Sequence, residues 1–199
     1  MAQKKNSGPD PGLKRLKQDL AGGTVGNCYI FYGEEEYLRS YYLDTLRKKL
    51  IPAGMEDFNL HAFPGKNLEL QALSDAVDAF PMMCERTLVT VTDCDLYKNE
   101  SRREGLMALL SDLPEYVCLV FVYDVLDYKI GRGKFQELVK KVGSIVDFAP
   151  MQKNDLADWV RRRFRELGKT IGNFKKGLNE DDDEDDDDTR SEEHTSELQ

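Results

Sequence analysis

The chain has 199 residues, 40% of them hydrophobic and 10% aromatic, with a formal net charge of -9, which is enough to bury one substantial core and part of a second. Its longest apolar runs, CYIFY at 28–32 and CLVFVY at 118–123, fall far short of the roughly 18 residues that cross a bilayer, and MAQKKNSGPD at the start carries no apolar signal region, so no membrane partner and a cytoplasmic location are expected. The four cysteines (Cys28, Cys84, Cys94 and Cys118) form no C-x-x-C pair, and His61 and His194 are the only histidines, which argues against structural zinc, disulfides and a histidine-based catalytic set.

In chain order, Asp10 is expected to cap a short helix that has Pro11 at its first position and glycines at its end. A first strand follows at 28–32, and then a helix with Leu38, Tyr42, Leu46 and Leu50 at spacing four that stops at Pro52. A second strand is expected around 58–63, in which His61 alternates with Leu60 and Phe63 and reads as a packed or surface side chain. Leu70, Leu73, Val77 and Phe80 form one helical stripe that reads as a buried face, and RTLVTVTD supplies a third strand at 86–92. Ser101 and Glu104 have capping-box spacing before the helical run GLMALL. VCLVFVY is apolar throughout, as a central strand covered on both faces should be, and a helix at about 132–142 leads to a fifth strand, SIVDF.

Five strands separated by helices predict an α/β fold with a doubly wound, five-stranded, mostly parallel sheet, in which function gathers beyond the carboxyl ends of the strands. After Pro150 the pattern changes. NDLADWVRRRFRELG reads as an amphipathic helix with Leu156, Trp159, Val160, Phe164 and Leu167 on one face, Asn154 as N-cap and Gly168 as stop. It is taken as the start of a second, helical domain. The expected division is 1–24 helix and linker, 25–150 α/β domain, 151–175 first helix of the second domain, 176–189 acidic tail and 190–199 artefact.

The negative charge is confined to the end of the chain. Residues 180–199 hold 12 of the 37 acidic residues and one of the 28 basic ones, which leaves 25 against 27 and a balanced body of net charge +2. The last ten residues, RSEEHTSELQ, are the translation of AGA TCG GAA GAG CAC ACG TCT GAA CTC CAG, a common sequencing-adapter sequence, and receive no function. The run EDDDEDDDD beside them reads as a solvated tail, a mimic of nucleic-acid phosphates or low-complexity sequence from the same joining error, and the true reading frame is expected to run on elsewhere.

The segment CYIFYGEEEYLRS places a strand, a glycine turn and a helix start in the frame of a phosphate-binding loop. A phosphate cradle needs several glycines, free N–H groups and a lysine. Here Gly33 is alone, and Glu34, Glu35 and Glu36 put negative charge where phosphates would sit, so the turn reads as three helix-starting glutamates that bind no nucleotide. A P-loop-related nucleotide-binding protein remains an alternative, as does a receiver-like phosphoacceptor domain with Glu34, Glu35 and Asp93 as its acids. The latter needs a lysine after the fifth strand, where this sequence has DFAP.

YIFYGEEEYL, AFPMMCERTLVTVTD, CLVFVYDVLDYK and VDFAPMQKNDLADWVRRRFRELG, in that order and spacing, resemble the delta subunit family of the bacterial DNA polymerase III holoenzyme. The similarity covers residues 25 to about 171. It implies a degenerate clamp-loader ATPase-like, P-loop-type domain without nucleotide or other cofactor. This non-catalytic chain is expected to bind and open the sliding clamp (the beta subunit) during DNA replication. The implied partners are the tau/gamma and delta prime subunits, with DNA reached through the assembled complex. In the family, an apolar pair in a pattern like L-P-F-F-S enters a pocket on the clamp. The matching residues here are Phe80, Pro81, Met82, Met83 and Cys84, with methionines where phenylalanines are frequent. By periodicity alone the methionines read as core, but Pro81 leaves them in a loop, where apolar side chains suggest a partner. Arg161, Arg162, Arg163 and Arg165, with Lys169, Lys175 and Lys176 beyond them, make the second domain basic and read either as a solvated helix face or as a contact to DNA or a neighbouring subunit. After GKTI the family pattern calls for further helices and a ring-building C-terminal domain, and this sequence departs from it.

Overall fold

In the computed structural model the described residues are 10–95, 100–125, 134–151 and 153–181. Helix α1 (Pro11–Gly22) begins where its chemistry dictates. The Asp10 carboxylate accepts from the Leu13 N–H at 2.8 Å, Pro11 needs no partner for a missing N–H, and Gly23 ends the helix in the left-handed region. The same Asp10 oxygen accepts from Asp147 N at 3.3 Å, which ties the helix start to the last strand of the sheet.

Five strands, β1 (Cys28–Tyr32), β2 (Leu60–Pro64), β3 (Thr87–Thr92), β4 (Val117–Val122) and β5 (Gly143–Asp147), form one wholly parallel sheet in the order β2-β3-β4-β1-β5. Ile30 stands between Phe121 and Ile145, and Val89 between His61 and Leu119. Every residue of β4 is buried, as its unbroken apolar sequence requires of a strand covered on both faces. A receiver-like sheet has the order 2-1-3-4-5; the observed order differs, and the receiver alternative falls with it.

On one face, Leu73 and Val77 of α4 (Leu70–Asp78), Leu106 and Leu110 of α5 (Glu100–Ser111), and Phe135 and Val139 of α6 (Lys134–Val142) share a core with Cys28, Ile30, Val89, Val91, Leu119 and Phe121. On the other, Phe31 meets Phe148 edge-on at 5.1 Å, and Tyr42 of α2 (Glu36–Leu50) lies 5.8 Å from Phe148, with Leu16, Leu38 and Leu46 buried. Side chains of this size stabilise by about 1.5–3 kcal/mol each when buried, so the two layers rather than helix propensity hold the elements in place.

Several expectations need correction. Residues Glu56–Asn59 form a single helical turn, α3, so the second strand starts at Leu60 rather than near 58. Helix α4 ends at Asp78, and Phe80 is 82% exposed instead of completing the buried stripe. Its neighbour is Pro81, which confines the preceding residue to extended backbone and carries Phe80 off the helical face. Ser101 lies inside α5 and not at its cap; residues 96–99, where the cap would be sought, and 132–133 of the expected sixth helix lie outside the described residues.

The chain divides into two units, 1–150 and 151–199. In the second, α7 (Lys153–Asp181) runs through Gly168 without stopping. A helical glycine costs only about 1 kcal/mol relative to alanine, and Ile171 continues the spacing of Leu156, Val160, Phe164 and Leu167 beyond it. The side chains of Asn154, Lys175 and Lys176, the acidic run past Asp181 and residues 190–199 lie outside the described residues.

All four thiols are free, with Cys28, Cys94 and Cys118 buried and Cys84 half-buried. Burial pushes the Cys94 thiol up to about 11 and the Cys118 thiol up to about 12 from an ordinary 9, and raises Cys28 as well. The unfolded chain therefore releases these protons first as pH rises, and stability falls progressively between about pH 9 and about pH 12. Urea midpoints are expected to drop over that window, less steeply in Cys118→Ala. A midpoint that stays flat in the parent chain contradicts the burial assigned to these thiols.

Candidate functional site

At the carboxyl end of the sheet, Gly33 follows β1 with φ 120°, and a Cβ there would lie 2.6 Å from the main chain of Phe148. Only glycine combines that conformation with that approach. Main-chain hydrogen bonds close much of the turn. Phe148 N donates to the Tyr32 carbonyl at 2.7 Å, Glu35 N to the Phe148 carbonyl at 2.9 Å, and Arg39 N to the Glu35 carbonyl at 3.1 Å. Of the three glutamates, Glu36 alone lies within α2; Glu35 is its N-cap by backbone and not by side chain, and Glu34 precedes the helix.

Arg39, only 4% exposed, reaches back over this turn. Its guanidinium donates to the Gly33 carbonyl at 2.6 Å and to the Asp124 carboxylate at 2.9 and 2.7 Å, joining the ends of β1 and β4. A cation that a phosphate loop would offer to a ligand is thereby consumed internally. Asp93, cast in sequence as an acidic ligand, has φ 54° and accepts from the N–H groups of Asp124 and Val125 at 2.9 and 3.0 Å. Its carboxylate shapes the segment after β4. Among the described residues no group of three or more His, Cys, Asp or Glu side chains is placed to hold a metal ion.

The opposite, amino end of the sheet carries the apolar loop between α4 and β3. Met82 is 50% and Met83 80% exposed, and Met83 has φ 56°. Phe80 lies 5.2 Å from the ring of Tyr116, whose hydroxyl donates to the Asp78 carbonyl. Pro81 and Cys84 are half-buried, and the Cys84 thiol turns inward to the Arg86 carbonyl. The five residues predicted as one apolar site thus divide: Phe80, Met82 and Met83 face outward, and Pro81 and Cys84 shape the turn.

Two side chains that sequence reasoning passed over hold this loop. Asn59, wholly buried, receives the Met82 N–H on Oδ1 at 2.7 Å and donates from Nδ2 to the carbonyls of Met82 and Met55, both at 2.9 Å. Arg86 donates to the carbonyls of Val25, Gly26 and Val117, gathering the starts of β1, β3 and β4. Phe58, next to Asn59 on α3, is also exposed. No spacing rule singles out an asparagine in DFNLHAF. The available signal was Phe58, an aromatic that the strand pattern leaves unpaired.

Strands of five and six residues rise about 3.3 Å per residue, so the glycine turn and the apolar loop are separated by the full length of the sheet. The expectation that function gathers at the carboxyl ends does not describe this loop. On α7, the arginines do not form a cluster of free cations. Arg161 pairs with Asp158 at 3.0 Å and Arg163 with Glu166 at 2.8 Å, while Arg162 and Arg165 are exposed.

The family model described as DNA polymerase III, delta subunit, matches residues 29–147, from the second residue of β1 to the last of β5. DNA polymerase III subunit delta of Bacillus subtilis (strain 168) is 29% identical over 165 residues, 78% of this chain and 46% of that protein. The solved Bacillus subtilis DNA clamp loader delta protein superposes with a TM-score of 0.60 at 24% identity, over 72% of this chain and 44% of the other, a likeness of fold. The chain spans about half the length of the relatives it matches.

Gly33→Ala is expected to destabilise the α/β unit by about 2–4 kcal/mol, since it imposes both a left-handed alanine and a clash with main chain. Urea unfolding measures it. A change near zero would mean that the turn is not packed against Phe148 as described.

Proposed function

The chain belongs to the DNA polymerase III delta subunit family, and on that premise we propose that it binds a sliding clamp through Phe80, Met82 and Met83 and helps to open it. The observation that carries this reading is the exposed apolar loop at the amino end of the sheet, with both methionines outside the core and the main chain beneath them held by a buried side chain. Exposed apolar side chains on a fixed loop lose little conformational freedom when they enter a pocket. Methionine, flexible and polarizable, fits an apolar pocket in place of an aromatic ring.

Binding energy becomes mechanical work in this reading. A surface that holds a distorted clamp better than a closed one shifts the clamp toward opening by its difference in affinity for the two forms. The chain is a non-catalytic subunit of a DNA-directed DNA polymerase holoenzyme acting in DNA replication in the cytoplasm. It works beside the beta clamp and the tau/gamma and delta prime subunits, with DNA met through the assembly. The exposed arginines of α7 are the basic groups available for a DNA or subunit contact. Among the described residues no helix is long and apolar enough to cross a membrane.

The glycine turn supports a subunit without nucleotide hydrolysis, because Arg39 and the Phe148 main chain occupy the groups a phosphate would need. ATP titration is expected to give no saturable binding, and saturation at micromolar concentration would restore the nucleotide-binding alternative. Affinity for a purified sliding clamp is expected to fall at least about 30-fold in Met82→Ser/Met83→Ser, as for the loss of a central anchor. Undiminished binding in that folded double variant refutes the site.

A further inference from the structure

Met82 and Met83 are presented by a loop whose geometry is set from outside it. Asn59 ends α3, one residue before β2, and its side chain is wholly buried. An asparagine amide offers an acceptor and a donor side by side, in the arrangement of a peptide group. Here both are used on one residue, with Oδ1 receiving the Met82 N–H at 2.7 Å and Nδ2 donating to the Met82 carbonyl at 2.9 Å. A single hydrogen bond would leave the Met82 peptides free to rotate about it; two points on one residue fix their orientation. The second Nδ2 hydrogen goes to the Met55 carbonyl at 2.9 Å, which locks the amide itself. The opposite amide orientation would turn NH2 toward the Met82 N–H and oxygen toward two carbonyls, so the network admits one assignment.

The next residue shows what this grip holds. Met83 has φ 56°, a left-handed conformation that an unbranched non-glycine residue leaves when nothing restrains it. It is also among the most exposed apolar side chains of the loop. A strained, exposed methionine directly after a doubly anchored residue is the arrangement expected where a side chain is aimed at a partner.

We propose that Asn59 is the positioning residue of the docking loop, gripping Met82 as a neighbouring strand would and thereby aiming Met83. Asn59 touches no clamp in this inference; it acts through Met83 by removing conformations that binding would otherwise have to freeze. The inference rests on the clamp-docking reading above.

The test uses the 199-residue chain and a purified sliding clamp, at a temperature where circular dichroism finds each variant folded. Asn59→Asp keeps the shape and the acceptor but sets a carboxylate oxygen against the carbonyls of Met55 and Met82. Its dissociation constant is expected to rise about tenfold through lost preorganisation, and its Met83 methyl resonance to move toward the unfolded position while that of Met107, packed against the core from α5, stays. In the Met82→Ser/Met83→Ser background the same substitution is expected to change affinity little, since the methionine that Asn59 aims is gone. Asn59→Ser, which loses the two-point grip without adding charge, is read in the same way and stands in if Asn59→Asp does not fold. Wild-type affinity in the folded Asn59 variant, or an equal penalty in both backgrounds, overturns the positioning role while the docking site stands. Undiminished binding by Met82→Ser/Met83→Ser overturns the docking reading and this inference with it.

Discussion

All five strands run in one direction, so every segment entering a strand lies at one end of the sheet and every segment leaving lies at the other. Main-chain groups that pass beyond the sheet ladder must find partners at each end. Two arginines meet much of that demand. Arg86 donates to three carbonyls at the amino end, two on the approach to β1 and one at the first residue of β4, and Arg39 joins the Gly33 carbonyl to Asp124 at the carboxyl end. A planar guanidinium with five donors suits convergent oxygens that a lysine could not span. Each arginine is a staple between strands that are distant in sequence.

The two ends then differ in what they leave exposed. At the carboxyl end, the closing bonds are made by main chain and by a buried cation, and Glu34 and Glu36 are exposed at the helix start, where carboxylates are favourable. At the amino end, the grip comes from beneath, through Asn59 and Arg86, so the outer surface of the loop is free to be apolar. A left-handed methionine costs about 1–2 kcal/mol, and hydrogen bonds worth roughly 0.5–1.5 kcal/mol each offset it without covering the side chain.

Sequence patterning carried most of the fold because each strand is either a dense apolar run or a clean alternation, and each α/β crossover has a stripe of its own. The first strand and the cap at Asp10 are local chemistry and were legible to the residue. Misreadings occurred where a competing local rule decided the outcome. Phe80 matched the helical period, but the restriction before Pro81 released it from the helix; Ser101 had capping spacing yet fell within α5; Gly168 carried a stop signal that the continuing period outweighed. The apolar loop was legible as composition and as a family pattern. Asn59 and Arg39 were not, because their partners lie 23 and 85 residues away and only tertiary structure brings them together.

The strand, glycine and helix-start frame answers steric and hydrogen-bonding needs that lie within the turn itself. In a frame that binds phosphate, the anion satisfies the N–H groups at the helix start, and stability rises with ligand concentration. Here Glu35 N is taken by Phe148, Glu36 N by the Glu34 carbonyl and Arg39 N by the Glu35 carbonyl, so these donors await nothing. Glycine is required at position 33 because Phe148 crosses directly against it, a demand of packing between β1 and the end of β5. The turn is thus closed by contacts within the chain itself. At the other end of the sheet the apolar loop is held by contacts of its own, with Asn59 gripping the main chain of Met82 and Arg86 gathering the carbonyls of Val25, Gly26 and Val117, so the two ends are built from separate sets of hydrogen bonds.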